Sequence, residues 1–157
     1  MLALGAWVRC APDGSLGGLP DASADVLVAW RQGFSPASEA WPHDLAEAGR
    51  VLREEGRLLV VQDYGRDEVT RLLGDEERAR QLIAFSHPKG PFLAAGFRVR
   101  VLHCWWSWGS LEEAAEALGE SFGAAGREVA AGMRRPRLAY KVAVYHADVS
   151  QLMDAAA

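Results

Sequence analysis

The chain has 157 residues, 50% of them apolar and 24% charged, a composition that excludes a disordered tail, a collagen-like fibre and a membrane protein and predicts one soluble globular domain. Lysine and arginine number 17 against 21 acidic residues, for a net charge of -4, and the signs are interleaved. No basic field is therefore on offer to a nucleic acid or an anionic membrane.

The basic residues are 15 arginines and 2 lysines, which with the many alanines and glycines reads as a GC-rich coding background. The two cysteines, Cys10 and Cys104, lie far apart and form no CxxC or Cys/His spacing. Neither a disulfide framework nor a metal site is indicated, and a reducing cytoplasm is the expected location. The apolar run at residues 1–10 is too short, and lacks the basic lead, for a signal peptide or a membrane span.

In chain order, residues 3–11 form a candidate short strand, broken by the turn residues Pro12, Asp13, Gly14 and Ser15. Val26-Leu27-Val28-Ala29-Trp30 is continuously apolar and partly β-branched, which predicts a strand buried on both faces. A helix is expected from Asp44 to Glu55, with Leu45, Ala48 and Leu52 on one stripe and Gly56 as its left-handed cap. Leu58-Leu59-Val60-Val61 is a second buried strand, and strand, helix and strand make a right-handed βαβ unit with parallel strands.

Asp67 and Glu68 open a helical stretch to about Phe85, interrupted at Gly74 and stopped by the loop 86–91. A short turn, Phe92 to Ala95, precedes an edge strand from Phe97 to His103, with Phe97, Val99 and Val101 on one face and Arg98 and Arg100 on the other. Ser110 and Glu113 form a capping-box pattern for a helix with the stripe Leu111, Ala115, Leu118, Phe122, Ala125 and Val129. Leu138 to His146 is the last strand, so that residues 1–147 form one domain and 148–157 a frayed tail.

Three stretches resemble class I S-adenosylmethionine-dependent methyltransferases. Leu19-Pro20-Asp21-Ala22-Ser23-Ala24-Asp25-Val26-Leu27-Val28 is similar to the "LPFPDASFDVVV" that leads into that family's fourth strand. The segment from Leu45 to Val61, with Arg50-Val51-Leu52-Arg53, Gly56 and Leu58-Leu59-Val60-Val61, is similar to its helix into the fifth strand. Phe92-Leu93-Ala94-Ala95-Gly96-Phe97 resembles the "L-x-x-A-G-F" before its sixth strand. The resemblance covers residues 7–147 and matches the family's C-terminal two-thirds. It implies an α/β, Rossmann-like fold truncated at its N-terminus: a mostly parallel sheet with an antiparallel C-terminal strand and helices on both faces.

The family's glycine-rich turn after its first strand, and the acid that ends its second, have no counterpart here; the only glycine cluster, Gly14 to Gly18, precedes the strand it should follow. On this alignment the chain starts near the family's third strand. An upstream start codon would restore the missing motif.

Site residues follow from the same alignment. Asp13 falls where the family's acid contacts the adenine amino group, with Gly14 beside it; the alternative is a local turn whose side chain caps backbone N–H groups. Ala29, Trp30 and Arg31 end a strand at the carboxyl edge, where open α/β sheets bind ligands, so Trp30 is either a wall of the cofactor or acceptor pocket or the close of a buried strand. Asp63 and Tyr64 leave the next strand at that edge, towards a substrate cleft or as a solvated loop. Trp105 and Trp106, with Trp108, exceed what one strand end needs for packing and either stack on a flat substrate, bury a subunit contact or pack internally. His87, His103 and His146 read as structural or exposed, and no catalytic residue is identifiable.

The function implied is S-adenosylmethionine-dependent methyl transfer to a small-molecule acceptor, which needs alignment of acceptor and methyl donor and a general base only for some acceptors. The alternative is a catalytically inactive methyltransferase-fold remnant that serves as a binding or dimerisation module. Loss of two strands would expose the edge of strand 24–30, to be covered by residues 3–11 or by a homodimer.

Overall fold

The computed structural model describes residues 15–31 and 33–156. The element order is β1 (Ala24–Trp30), α1 (Trp41–Val51), β2 (Leu52–Asp63), α2 (Glu68–Leu72), α3 (Glu76–Phe85), α4 (Pro91–Ala94), β3 (Arg98–Ser107), α5 (Leu111–Gly132), β4 (Arg137–Asp148) and α6 (Val149–Ala156). The expected strand at residues 3–11, with Asp13 and Gly14, lies outside the described residues. The architecture is α/β, with helices on both faces of one four-stranded sheet in the order β1-β2-β4-β3.

β1 and β2 pair in parallel, with Leu27 opposite Leu58 and Ala29 opposite Val60, as the βαβ reading requires. The remaining pairs, β2 with β4 and β4 with β3, are antiparallel. The sheet is therefore mixed: β1, β2 and β3 run in one direction, and the C-terminal strand β4, inserted between β2 and β3, runs against them.

Helix α1 departs from expectation at both ends. It starts at Trp41, with Pro42 in the first turn, where a missing N–H costs nothing. It ends at Val51, because the backbone at Leu52 is already extended (φ -73°, ψ 143°). The buried stripe is Leu45, Ala48 and Val51, and Arg53, Glu54 and Glu55 are exposed in β2. Gly56 is accordingly not a helix cap. It sits in a bulge: between the pairings Ala24 with Leu52 and Val26 with Arg57, β1 advances two residues and β2 five. A Cβ on Gly56 would lie 2.8 Å from the Arg53 carbonyl oxygen, so the bulge closes this tightly only around glycine.

The sheet face bearing Leu27, Ala29, Leu58, Val60, Tyr145 and Ala147 is covered by α1, α3, α4 and α6 and holds the main core. At its centre Phe92 stacks on Tyr145 (centroids 4.0 Å apart) and meets Phe85 and Phe97 edge-on. Trp41 closes the cluster edge-on to Phe92. The opposite face carries a smaller core in which Val69 and Leu72 of α2 and Leu118 of α5 pack on Leu138 of β4.

Gly74 separates α2 from α3 as expected, and β3 is an edge strand, extended to Ser107 through the indoles. Ser110 Oγ caps α5 by accepting from the Glu113 N–H (3.1 Å), while Glu113 reaches back to the N–H of Gly109. The predicted stripe of α5 does not survive intact: Gly123 adopts φ 58° and kinks the helix, so Ala114, Leu118 and Gly126 are buried and Leu111, Ala115 and Ala125 are exposed. The expected frayed tail is instead helix α6, whose Leu152 is fully buried in the main core and whose start is capped by Asp148 accepting from the Gln151 N–H. β1 also departs from its expected double burial: Leu27 and Ala29 face the core, whereas Val26, Val28 and Trp30 face solvent.

Candidate functional site

At the carboxyl ends of β1 and β2 the chain assembles one polar cluster. Arg31 leaves β1 in the left-handed region (φ 58°), its N–H donating to the Val61 carbonyl at 2.8 Å, which fixes it beside the end of β2. Its guanidinium pairs with Asp63 Oδ1 at 2.5 Å and hydrogen-bonds the Tyr140 hydroxyl. Tyr140 Oη also donates to Asp63 Oδ1 (2.6 Å), and Arg78 approaches Asp63 Oδ2 at 3.6 Å. The Asp63 side chain is almost completely buried, whereas Arg31 and Arg78 are each about half exposed. Burial, together with the hydrogen bond to Asp63 and its negative charge, pushes the Tyr140 hydroxyl up to about 12.

The loop after β2 is set by Gly65 (φ 81°), where a Cβ would fall 2.9 Å from Leu82 Cβ. Beyond it Asp67 caps α2 through the Thr70 N–H and accepts the Lys141 N–H, and Glu68 accepts the Ala139 N–H at 2.6 Å. These two carboxylates satisfy β4 backbone donors where β2 has ended and so dock α2 on the sheet.

Adjacent residues on a strand point to opposite faces, and this divides the candidate residues. Tyr64 turns into the main core, with Arg66 over its ring at 5.6 Å, away from Asp63. Trp106 lies on the Asp63 face, between Phe122 (6.2 Å) and Tyr140 (6.3 Å). Trp105 lies on the other, half exposed, under the Arg137 guanidinium at 5.4 Å. Ala29 is buried in the main core and offers no surface to a ligand, and Trp30 is open to solvent. The structure thus brings together Arg31, Asp63 and, through Tyr140, Trp106. It does not bring Tyr64, Trp105 or Ala29 to them.

Two open grooves flank β3. One, of about 380 Å³, is lined by Trp106, Ser107, Trp108, Leu118, Ser121 and Phe122. The other, of about 420 Å³, lies between Trp105, Glu68, Met133, Arg134, Arg135 and Arg137. Tyr140 and Arg78 are the site residues missed in the sequence: Tyr140 stands 77 residues from Asp63, and no local spacing links them. Among the described residues no group of three or more His, Cys, Asp or Glu converges on a metal position, and no helix is long and apolar enough to cross a membrane.

Solved structures with a similar trace include methyltransferases. The chain is similar over 88% of its length to 70% of a "Putative Type II Methyltransferase" from Anaeromyxobacter dehalogenans, at 18% identity and a TM-score of 0.46. It is similar over 84% to 67% of a "putative methyltransferase" from Bacillus halodurans (12% identity, TM-score 0.37), and over 87% to 55% of the [4+2]-cyclase SpnF (18%, 0.32). No family model matches the chain, and no curated protein matches it.

In the family that the sequence resembles, the cofactor's ribose is held by an acid at the end of the second strand, which has no counterpart in this chain. The acid at this edge, Asp63, has Oδ1 shared by Arg31 and Tyr140 and Oδ2 beside Arg78. Neither groove is lined by Trp30, Arg31 or Asp63. Asp63 is thus held by Arg31 and Tyr140 at Oδ1, while Asp13 and Gly14, which the resemblance assigns to the adenine, lie outside the described residues.

Proposed function

We propose that the chain is a methyltransferase-like protein for a small-molecule acceptor that, on its own, holds S-adenosylmethionine weakly or not at all. The observation that carries the kinship is the parallel pairing of β1 with β2 across helix α1, which delivers Arg31 and Asp63 to one edge of the sheet. The three sequence stretches fall on successive elements: residues 19–28 lead into β1, 45–61 span α1 and β2, although the helix ends at Val51 rather than Glu55, and 92–97 run from α4 to the start of β3. The engaged Asp63 favours the second reading, a catalytically inactive remnant that works as a binding module.

Isothermal titration with S-adenosylmethionine tests the weak binding that both readings share. Absence of three ordinary hydrogen bonds at about 1 kcal/mol each weakens binding on the order of a hundredfold, so a dissociation constant of about 0.1 mM or weaker is expected. Micromolar affinity would overturn the weak-binding reading and restore an autonomous enzyme.

A further inference from the structure

The solvent-facing side of β1 belongs to a half-face that the described residues leave partly open: α2 and α5 pack on its end near Leu138, Tyr140 and Trp106, Val61 at its centre is buried, and Leu59, Val144 and His146 are partly exposed. Val26, Val28 and Trp30 are 51%, 58% and 65% exposed there, far more than isolated surface apolar residues require. Register defines what surrounds them. Trp30, Val61, Val144 and Arg100 form one row across the four strands, and Val28, Leu59, His146 and Arg98 form the next. A third row runs from Val26 through Arg57 to Asp148.

The half-face is therefore apolar over β1 and the centre of the sheet and basic towards β3. Arg57, Arg98 and Arg100 form no ion pair among the described residues. Burial and these three arginines hold the His146 imidazole below its ordinary value, as expected in a positive local field. Asp148, the acid in these rows, accepts from Ser150 and the start of α6, and these hydrogen bonds, with the charges of Arg98 and Arg57, hold its carboxyl below the ordinary value; Arg100 has no such acid beside it among the described residues.

We propose that this half-face docks an amphipathic helix of another protein, with its apolar stripe along β1 and β2 and an acidic edge against Arg57, Arg98 and Arg100. Charge selects the occupant. Covering the apolar rows removes water from the arginines beside them, and only carboxylates compensate that loss. A second copy would bring a second set of unpaired arginines to the contact, so an acidic partner is favoured over a homodimer.

The test uses the whole chain and a synthetic helix of about 18 residues with a leucine stripe flanked by glutamates, followed by the methyl resonances of Val26, Val28 and Val144. The expected result is binding that shifts these methyls, with the glutamate-to-lysine version of the peptide about tenfold weaker or worse. In the charge-reversed variant R98E/R100E, at exposed positions outside the Arg31–Asp63–Tyr140 cluster, the preference between the two peptides should invert. Equal binding of both peptides, no binding of the acidic one, or shifts confined to other regions would overturn the proposal. So would methyls already shielded from a soluble paramagnetic probe in the free protein, whether sedimentation then reports a dimer or a monomer that covers its own face.

Discussion

Replacing Phe92 with alanine is expected to destabilise the fold by about 3–5 kcal/mol, the range for deleting a buried aromatic ring from a core. Phe92 is fully buried, stacks on Tyr145 and touches Phe85, Phe97 and Trp41, so the cavity opens between the sheet and the helices that cover this face. It is also what holds α4, a helix of 4 residues that cannot persist without tertiary packing. For a chain of this length the loss should lower Tm by roughly 10 °C. Urea unfolding followed by circular dichroism measures it; a loss below about 1 kcal/mol would show that the aromatic cluster is not the centre of the core.

The second large effect is at Asp63. Asn in its place keeps the shape and removes the charge that Arg31, Arg78 and Tyr140 share. Breaking a wholly buried pair costs more, but both arginines are about half in water, so a loss of about 2 kcal/mol is expected. The pH profile gives an independent readout. Because the Tyr140 hydroxyl is raised to about 12 in the folded chain, its contribution to stability is complete below pH about 10, the unfolded value, and is lost as pH rises through 12. In D63N the arginine charge remains and the carboxylate does not, so the Tyr140 ionisation seen in ultraviolet absorbance should move down. An unchanged profile would mean that burial alone sets it.

What the sequence disclosed was the part written in local periodicity. The unbroken runs at 26–30 and 58–61 with an amphipathic stripe between them specify strand, helix and strand, and β1 and β2 do pair in parallel. The end of α1 was hidden because Leu52 continues its helical stripe, and only its pairing opposite Ala24 turns it into sheet. Helix α6 was hidden because eight residues are marginal as a helix until Leu152 finds the core beside α1.

The candidate site was legible residue by residue and not as a constellation. Arg31 and Asp63 are both readable as strand ends. Their union through Tyr140 spans 109 and 77 residues and depends on β4 inserting between β2 and β3. By contrast, the separation of Asp63 from Tyr64 and of Trp105 from Trp106 follows from the two-residue period alone, once the strands are known to extend that far.

The account rests on β1 and β2 running side by side in one direction, and nuclear Overhauser contacts between their backbones test this directly. We predict contacts linking Val28 with Leu59 and Trp30 with Val61 in the parallel pattern, without the close Hα to Hα pairs that β2 and β4 should show. Strong Hα to Hα contacts between residues 24–30 and 58–61, or no contacts between them, would contradict the fold, the site at its edge and the kinship drawn from both.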